Sequence, residues 1–330
     1  MIIVKSPFRI SYFGGGTDFP DWFNNHEKGM VLSTTIDKYC YVLLRTLPPF
    51  FSFNYRLRYY ETELVKNIQS IKHPTIRSTL QKFYKEKKGL EIIHCADLPA
   101  LSGLGASSAF TSSLIKAISE INKAKISKKK LAENSVFIEK EILKEAGGLQ
   151  DQYATAFGGF NEITFQKRKV AVNKLKIDEV KKKILEENTL IFFTGISRKA
   201  NLIEEEKVIK LELKKNYYKE ILSICKEAKK IFLNNDKSKF LSDIAKLMNI
   251  SWELKKKLSS KVSNNFINET YNSGLRNGAV AGKILGAGGG GFIMFLTKND
   301  RDKEKLIKYF KKFKYVKIKF ENQGTQIVKK

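Results

Sequence analysis

The chain has 330 residues, with 61 Lys or Arg against 34 Asp or Glu, so its formal net charge is +27. An apolar fraction of 42% excludes wholesale disorder, and the length suffices for two domains with a substantial core. Three cysteines and three histidines, with no CxxC or HExxH spacing, argue against a disulfide framework, structural zinc and metalloprotease chemistry.

The first residues, MIIVKSPFRISYFGGG, lack the basic segment, the longer apolar stretch and the small-residue cleavage site of a signal peptide. No apolar run approaches the ~20 residues that a membrane-spanning helix needs. We therefore expect a cytoplasmic protein with free thiols and no membrane partner.

The first half of the chain begins with predicted strands, IIVKSPFRISYF and MVLSTTIDKYCYVLLRTL, which are rich in β-branched and aromatic residues. A helix is expected over residues 74–87, and LEIIHCA is a short apolar strand that runs into the loop DLPALSGLGA. Apolar spacing near 3.6 residues predicts two further helices, over residues 107–124 and 128–146.

The second half continues with a pair of strands in GGFNEITF and VAVNKL and a buried strand in TLIFFTG. Long helices are predicted over residues 200–277, and GGFIMFLT, a helix over 301–313 and the strand YVKIKF follow. Charge density rises between residues 170 and 188, where a domain boundary fits. We predict an α+β fold in two domains, over residues 1–175 and 176–330.

The sequence has three glycine-rich loops, and two of them contain runs of consecutive glycines. FRISYFGGGTDFPDW contains Gly14 to Gly16, and GAVAGKILGAGGGGFIMFL contains Gly286 and the run 288–291. Glycine has no Cβ, so such runs let the backbone approach a ligand closely. A turn or bulge is the ordinary alternative for the first run, and a hinge for the second.

The remaining loop, in LPALSGLGASSAFTSSLIKAI, joins an apolar strand to a helix that begins near Ala106 or Ser107. The first amides of a helix lack partners and lie at the positive end of its dipole, so this loop predicts a phosphate site. It is neither a GxxxxGK[ST] loop nor a GxGxxG loop. A serine-capped helix after a glycine turn is the structural alternative.

Acidic residues lie between these loops. Asp151 follows a glycine pair and could accept a proton from a substrate hydroxyl. Glu139 and Glu141 precede it by twelve and ten residues and could reach a metal, although either one alone is typical of a surface charge. Each of the three histidines is more readily structural than catalytic.

In this order, SPFRISYFGGGTD, PALSGLGASSA and GKILGAGGGG resemble the three motifs of the GHMP kinase superfamily, which includes galactokinases, homoserine kinases and mevalonate kinases. The segments GGGTDFPDWFNNHEKGMVLSTTIDKYCYV and AGGLQDQYATAFGGFN are most similar to its D-glycero-D-manno-heptose 7-phosphate kinases. The resemblance implies a two-domain GHMP kinase fold, with an N-terminal α/β domain like that of a ribosomal protein and a ferredoxin-like C-terminal domain.

The same resemblance implies an activity. ATP with Mg²⁺ would phosphorylate the anomeric hydroxyl of a heptose 7-phosphate, to give the 1,7-bisphosphate for nucleotide-activated heptose and surface polysaccharide synthesis. The partner would be this small-molecule sugar phosphate, with no nucleic acid, and a homodimer is left open. Gly15 and Gly16 replace the glutamate and histidine of galactokinases, which argues against galactose itself.

Residue roles also follow from the resemblance. Asp151 would accept the hydroxyl proton, and Arg9 beside it would hold the carboxylate ionised. Mg²⁺ would contact Glu139 and Ser107, or Ser108 instead, because this sequence has GLGASSA rather than GLGSSAA. The ATP phosphates would be wrapped by Gly103, Leu104, Gly105, Ala106, Ser107 and Ser108. The acceptor and the transferred phosphoryl group would contact Gly15, Gly16, Thr17, Asp18, Gly288, Gly289 and Gly290.

The sugar's own phosphate needs a basic anchor, and the sequence offers several. Arg198 and Lys199 follow a predicted buried strand, and Arg276 and Lys283 flank the last glycine loop. A bidentate arginine suits a phosphate, and we take Arg198 as the first candidate.

Two alternatives remain. The net charge and the ribosomal-protein-like domain would suit RNA binding, but the lysines are dispersed through amphipathic helices, as on an ordinary solvated surface. Three acids near a phosphate loop, Asp18, Glu139 and Asp151, favour a magnesium-dependent kinase over a binder of phosphate backbones. The other alternative keeps the kinase and changes the acceptor, to a fucose- or galactose-like sugar or an isoprenoid alcohol.

Overall fold

The computed structural model describes residues 1–167, 169–196 and 201–330. Within these residues, thirteen strands form two sheets. The strands are β1 (Ile2–Phe13), β2 (Gly29–Leu47), β3 (Tyr55–Arg58), β4 (Thr62–Val65), β5 (Gly89–Ala96), β6 (Asn161–Gln166), β7 (Lys169–Lys174), β8 (Thr189–Phe193), β9 (Ala279–Ile284), β10 (Phe292–Thr297), β11 (Lys314–Val316), β12 (Phe320–Glu321) and β13 (Gln326–Lys329).

The α-helices of the same residues flank these sheets. They are α1 (Pro20–Asn25), α2 (Pro74–Phe83), α3 (Ala106–Ile121), α4 (Lys128–Val136), α5 (Gln150–Phe157), α6 (Glu179–Asn188), α7 (Asn201–Ile209), α8 (Leu211–Leu233), α9 (Phe240–Leu258), α10 (Asn265–Arg276) and α11 (Asp300–Tyr309). None of them combines the length and the apolar character that crossing a bilayer would require.

The larger sheet has nine strands and is built around β2, whose 19 residues give it different neighbours along its length. β2 pairs antiparallel with β1 over residues 32–44, with β6 near its start and with β5 near its end. β3 runs parallel to β5, and β4 lies at that edge. The last strands return to this sheet, because β12 pairs with β2 and β13 pairs with β1.

The smaller sheet has four antiparallel strands in the order β11-β8-β10-β9. One of its two central strands, β10, is buried at every residue, and its residues 292–296 are all apolar rather than alternating. Gly274 on α10 and Gly282 on β9 leave room for the ring of Phe295, and a Cβ at either glycine would collide with that ring.

The main core lies between the larger sheet and helices from both halves of the chain, including α3, α5, α8 and α9. Trp22 stacks on Tyr218 of α8 with ring centroids 5.3 Å apart, and Tyr12 of β1 lies edge-on to Phe232 of the same helix. Helices from beyond residue 200 therefore pack directly on β1 and β2 and bring the last third of the chain to the loop that follows β1.

Several predicted elements differ in extent from those in the structure. The helix expected over 128–146 ends at Val136, and a π-helical turn follows over Phe137–Ile142. The sequence patterns did not predict β3, β4, β13 or α6, and β9 occupies the beginning of a segment expected to be a loop. Cys40, Cys95 and Cys225 are free thiols, as expected.

Candidate active site

A cavity of about 460 Å³ is lined by residues from both halves of the chain. One wall consists of the loop after β1 and the loop between β5 and α3. The others come from the π-helical turn, the start of α5, the helices α7 and α9, and residues 286–287 after β9. The glycine-rich segments, distant in sequence, therefore meet at one cavity.

The Gly-Leu-Gly loop (residues 103–105) has the geometry of an anion site. Gly103 and Gly105 have φ values of +85° and +80°, which side-chain-bearing residues rarely adopt. Gly105 is the N-cap of α3 and supplies no side-chain acceptor, so the first amides of this 16-residue helix are left for a ligand. A Cβ at Gly103 would also lie 2.5 Å from the carbonyl oxygen of Leu285.

Arg9 joins this loop to Asp151. Its Nε and Nη2 donate to Oδ1 and Oδ2 of Asp151 at 2.8 and 2.9 Å, which is a bidentate ion pair. Its Nη1 donates to the carbonyl oxygen of Gly103 at 2.5 Å, and its backbone N–H donates to Leu104. Arg9 is buried, while a quarter of the Asp151 side chain is exposed and lines the cavity. Asp151 is thus held rigidly beside the anion site and remains accessible.

Glu139 is a buried carboxylate with one oxygen unused. Its Oε2 accepts hydrogen bonds from Ser108 Oγ at 2.8 Å and from Gln152 Nε2, whereas Oε1 has no partner among the described residues. Burial, and secondarily the charge of Glu145, raises the pKa of Glu139 to about 7. Glu139 belongs to the π-helical turn and lines the cavity next to the start of α3.

These groups fit a magnesium ion. Mg²⁺ is commonly held by one or two carboxylates together with the phosphates of the substrate, and an unpartnered buried carboxylate oxygen beside a hydroxyl supplies such ligands. Among the described residues no group of three or more His, Cys, Asp or Glu side chains could hold a metal on its own. The structure brings Ser108, rather than Ser107, against Glu139.

Asp18 occupies another part of the cavity and is fully buried. Its carboxylate accepts from the N–H of Gly16 at 2.9 Å and from the backbone and side-chain nitrogens of Gln150 at 3.1 and 3.0 Å. Burial raises the pKa of Asp18. The hydrogen bonds from Gly16 and Gln150 lower it in part, and the charges of Asp151 and Glu204 raise it further. This end of the cavity is therefore polar.

Sequence reasoning missed Glu204, Lys207 and Lys255, which also line the cavity. Lys207 is buried, and its Nζ donates to the carbonyl oxygen of Ala287 at 2.8 Å and to Glu204 Oε1 at 3.3 Å. Lys255 Nζ donates to the carbonyl oxygen of Gly286 at 2.5 Å. Two lysines therefore meet at residues 286–287, which lie close to the Gly-Leu-Gly loop.

The opposite end of the cavity is aromatic and contains two of the three histidines. Tyr59, His73, His94 and Phe110 line it, and His73 and His94 both contact the ring of Phe110. Burial lowers the pKa of His94 to about 4 and lowers that of His73, so both imidazoles are neutral at pH 7. Nδ1 of His73 is buried without a hydrogen-bond partner among the described residues. This end suits a flat heteroaromatic ring with a polar edge.

Some predicted site residues do not line the cavity. Leu104 is buried and offers the loop only its backbone, and Thr17 donates to the carbonyl oxygens of Gly14 and Met30. Gly288 and Gly290 pack against Val262 and Ile196, and the N–H of Gly289 donates to Val262. The last glycine loop instead presents residues 286 and 287 to the cavity.

The four basic residues considered as anchors for the sugar phosphate have different outcomes. Arg198 and Lys199 lie outside the described residues. Arg276 Nη2 donates to Ser273 Oγ, and this arginine does not line the cavity. Lys283 is buried against β1.

Comparison with known proteins identifies the family. Two family models match, GHMP kinases N terminal domain over residues 68–159 and GHMP kinases C terminal over residues 232–316. The D-glycero-alpha-D-manno-heptose 7-phosphate kinase of Campylobacter jejuni is 32% identical over 323 residues, 94% of this chain and 93% of that protein. The chain belongs to the GHMP kinase family. The predicted superfamily and its two-domain α+β fold are thus confirmed, as is a small-molecule kinase activity with ATP as donor.

Other members of the family are also similar. The mevalonate kinase of Methanocaldococcus jannaschii is 32% identical over 235 residues, 70% of this chain and 69% of that protein. A solved D-glycero-D-manno-heptose 1-phosphate kinase from Bacteroides thetaiotaomicron has a TM-score of 0.74 and 24% identity, covering 100% of this chain and 99% of that one. The latter similarity shows a shared fold.

Proposed function

We propose that this GHMP kinase transfers the γ-phosphoryl group of ATP to the anomeric hydroxyl of D-glycero-D-manno-heptose 7-phosphate, giving the 1,7-bisphosphate. The product would be a precursor of nucleotide-activated heptose for surface polysaccharides. The proposal rests on one observation above all, that the Arg9–Asp151 pair lies between the Gly-Leu-Gly loop and the buried Asp18. The full-length similarity to a heptose 7-phosphate kinase supports the choice of acceptor.

The cavity suggests how ATP would bind. The aromatic end, with His73 and His94, would hold the adenine, and the phosphates would extend to the Gly-Leu-Gly loop and the first amides of α3. Phosphoryl transfer requires in-line positioning and neutralised charge more than covalent chemistry, and backbone amides supply both without rearranging.

Glu139 and Ser108 would hold the magnesium ion at the start of α3. When bound, Mg²⁺ supplies charge neutralisation to the phosphate oxygens. Gln152 and Ser108 both donate to Oε2 of Glu139 and so fix the carboxylate, and Oε1 keeps no partner among the described residues.

At the acceptor end, Asp18 and Gln150 would accept and donate hydrogen bonds to the sugar hydroxyls. Asp151 would receive the proton of the reacting hydroxyl, and Arg9 would hold the carboxylate in place. Lys207 and Lys255 would provide positive charge for an anionic substituent of the acceptor. In this arrangement Arg198, which lies outside the described residues, stays a candidate for the 7-phosphate.

A panel of acceptors tests the proposal directly. The purified protein with ATP and Mg²⁺ is given heptose 7-phosphate, heptose 1-phosphate, free heptose, fucose, galactose and mevalonate, and ADP release is measured. We expect turnover with heptose 7-phosphate and a phosphorus NMR signal of a glycosyl phosphate coupled to the anomeric proton. Preferred phosphorylation of mevalonate, or of a hydroxyl other than the anomeric one, would show the acceptor assignment to be wrong.

The Asp151→Asn variant tests the catalytic assignment. Asn keeps the shape and one acceptor oxygen but cannot take the proton, so kcat should fall at least ~10²-fold while nucleotide binding is retained. Glu141→Gln is the matched control, since this carboxylate is 65% exposed and pairs only loosely with Lys144, at 3.8 Å. Undiminished turnover by Asp151→Asn would remove Asp151 as the base.

A further inference from the structure

A second, smaller cavity of about 30 Å³ lies beside the first and is lined by both halves of the chain. It shares Arg9, Gly15, Gln150, Lys255 and Gly286 with the large cavity. The remaining lining residues are Ser11, Ile221, Ser251 and Lys283. A space of this size holds one or two waters or a monatomic ion.

The charges around the small cavity are of one sign. Arg9, Lys255 and Lys283 all contribute to its walls, and no carboxylate does so among the described residues. Arg9 is already neutralised by Asp151. The hydroxyl-bearing residues Ser11 and Ser251 complete a lining that is rich in donors.

Lys283 is the group that needs a counter-charge. It is buried, and its Nζ donates to the backbone carbonyl oxygens of Ser11 and Tyr12 at 3.1 and 3.0 Å. No carboxylate oxygen of the described residues lies within 4.0 Å of it, and no third acceptor is found there for its remaining proton. Burial, and then the charge of Arg9, lowers the pKa of Lys283 to about 8. A buried ammonium is costly unless an anion pairs with it.

We propose that the small cavity binds one monovalent anion of halide size, with chloride as its ligand, paired with the ammonium of Lys283. The anion would let Lys283 stay protonated beside Arg9. Lys283 in turn holds the carbonyl groups of Ser11 and Tyr12, near the end of β1 and shortly before Gly14 to Gly16, at a place where the register between β1 and β2 shifts. Halide binding would therefore stabilise the segment that carries Arg9 and the acceptor loop.

Thermal unfolding of the full chain provides the first test. At a constant total salt of 0.2 M, replacing gluconate by chloride or bromide should raise Tm by roughly 2–4 °C and in a saturable manner, as expected for a ligand present well above its dissociation constant. Constant ionic strength removes general screening from the comparison. Crystals grown in bromide should show an anomalous peak next to Lys283 Nζ.

Variants test whether the halide-dependent rise in Tm arises at the small cavity. Lys283→Met should abolish the halide-dependent rise in Tm, while Lys215→Met, at an exposed position of α8, should keep it. If Lys283→Met does not fold, Ser251→Val serves instead, because it fills the cavity from α9 and leaves Lys283 in place. Equal Tm in gluconate and chloride with no bromide peak in the cavity would overturn the proposal, as would a halide effect that persists in Ser251→Val.

Discussion

Glu139 combines complete burial with an oxygen that has no partner among the described residues, so this residue works against stability in the absence of a ligand. Burial raises its pKa to about 7, against an ordinary value of 4.5. The folded protein therefore binds this proton more tightly than the unfolded chain, and the contribution of Glu139 to stability falls as the pH rises from about 4.5 to about 7.

Glu139→Gln should separate stability from activity. The amide keeps an acceptor for Ser108 and Gln152 but carries no charge, so the variant should be more stable than the parent at pH 8, by at most about 3 kcal/mol, and no more stable at pH 4.5. Its kcat/KM should fall by roughly 10-fold or more, because a metal ligand is lost. Denaturant unfolding at both pH values and kinase assays over a range of Mg²⁺ measure the two effects.

The exposed Glu141→Gln variant is the control for this comparison, since it should change neither quantity. A Glu139→Gln protein that is less stable than the parent at pH 8, or that keeps full activity at limiting Mg²⁺, would contradict the assignment.

Single residues differ in how well the sequence predicts them. Arg9 and Asp151 lie in motifs whose order along the chain is informative, and the structure pairs them directly. Glu204 and Lys207 could not be found in this way, because NLIEEEKVIK looks like a solvated helix and only its packing against residue 287 directs Lys207 inward. The sequence did not indicate that His73 and His94 line the cavity, since a lone His is usually structural.

The element that departs most from its pattern is the helix before the glycine pair. Apolar spacing predicts one helix over 128–146, but α4 gives way to a π-helical turn at Phe137, which changes the phase of the residues after it. A phase change of one residue near the end of the segment is too small to be recognised from apolar spacing alone. The turn matters for function because it faces Glu139 into the cavity, and such turns are frequent at functional sites.

The glycine pair 147–148 shows why a loop between elements must have this composition. A Cβ on Gly148 would overlap the carboxylate of Asp18, which Gly16 and Gln150 hold in place. The sequence shows only a glycine pair ahead of Asp151, whereas the structure shows that Gly148 makes room for a buried acid. Similarly, the glycine run 288–291 predicts contact with a ligand. In the structure Gly288 lies against Val262 and Gly290 against Ile196, where a Cβ would collide.

Gly148→Ala should therefore act on the acceptor end alone. Displacing Asp18 should raise the KM for the acceptor at least ~10-fold, equivalent to about 1.4 kcal/mol, and leave the KM for ATP within about twofold. Steady-state kinetics with each substrate varied in turn measure this split. If both KM values rise together, or neither does, Asp18 is not the acceptor-binding group that we propose.

For the whole molecule, the sequence predicts the fold class and the order of most elements but not their long-range partners. β12 and β13 lie near residue 320 and beyond, yet they pair with β2 and β1, and nothing in a short strand's periodicity specifies a partner so distant in sequence. The division into residues 1–175 and 176–330 stays a prediction, and the returning strands and α8 give the second segment extensive contact with the first sheet.

The net charge of +27 is a property of the whole molecule, because the lysines are dispersed over amphipathic helices rather than gathered in one site. Such a charge should attract the two anionic substrates, and added salt should weaken that attraction because the Debye length is about 10 Å at 0.1 M. Raising potassium gluconate from 20 to 200 mM should lower kcat/KM for heptose 7-phosphate at saturating ATP by about threefold or more. Free heptose, which is neutral, is the control and should show little change. An equal loss for both acceptors would mean that salt acts on the enzyme and not on the approach of a charged substrate.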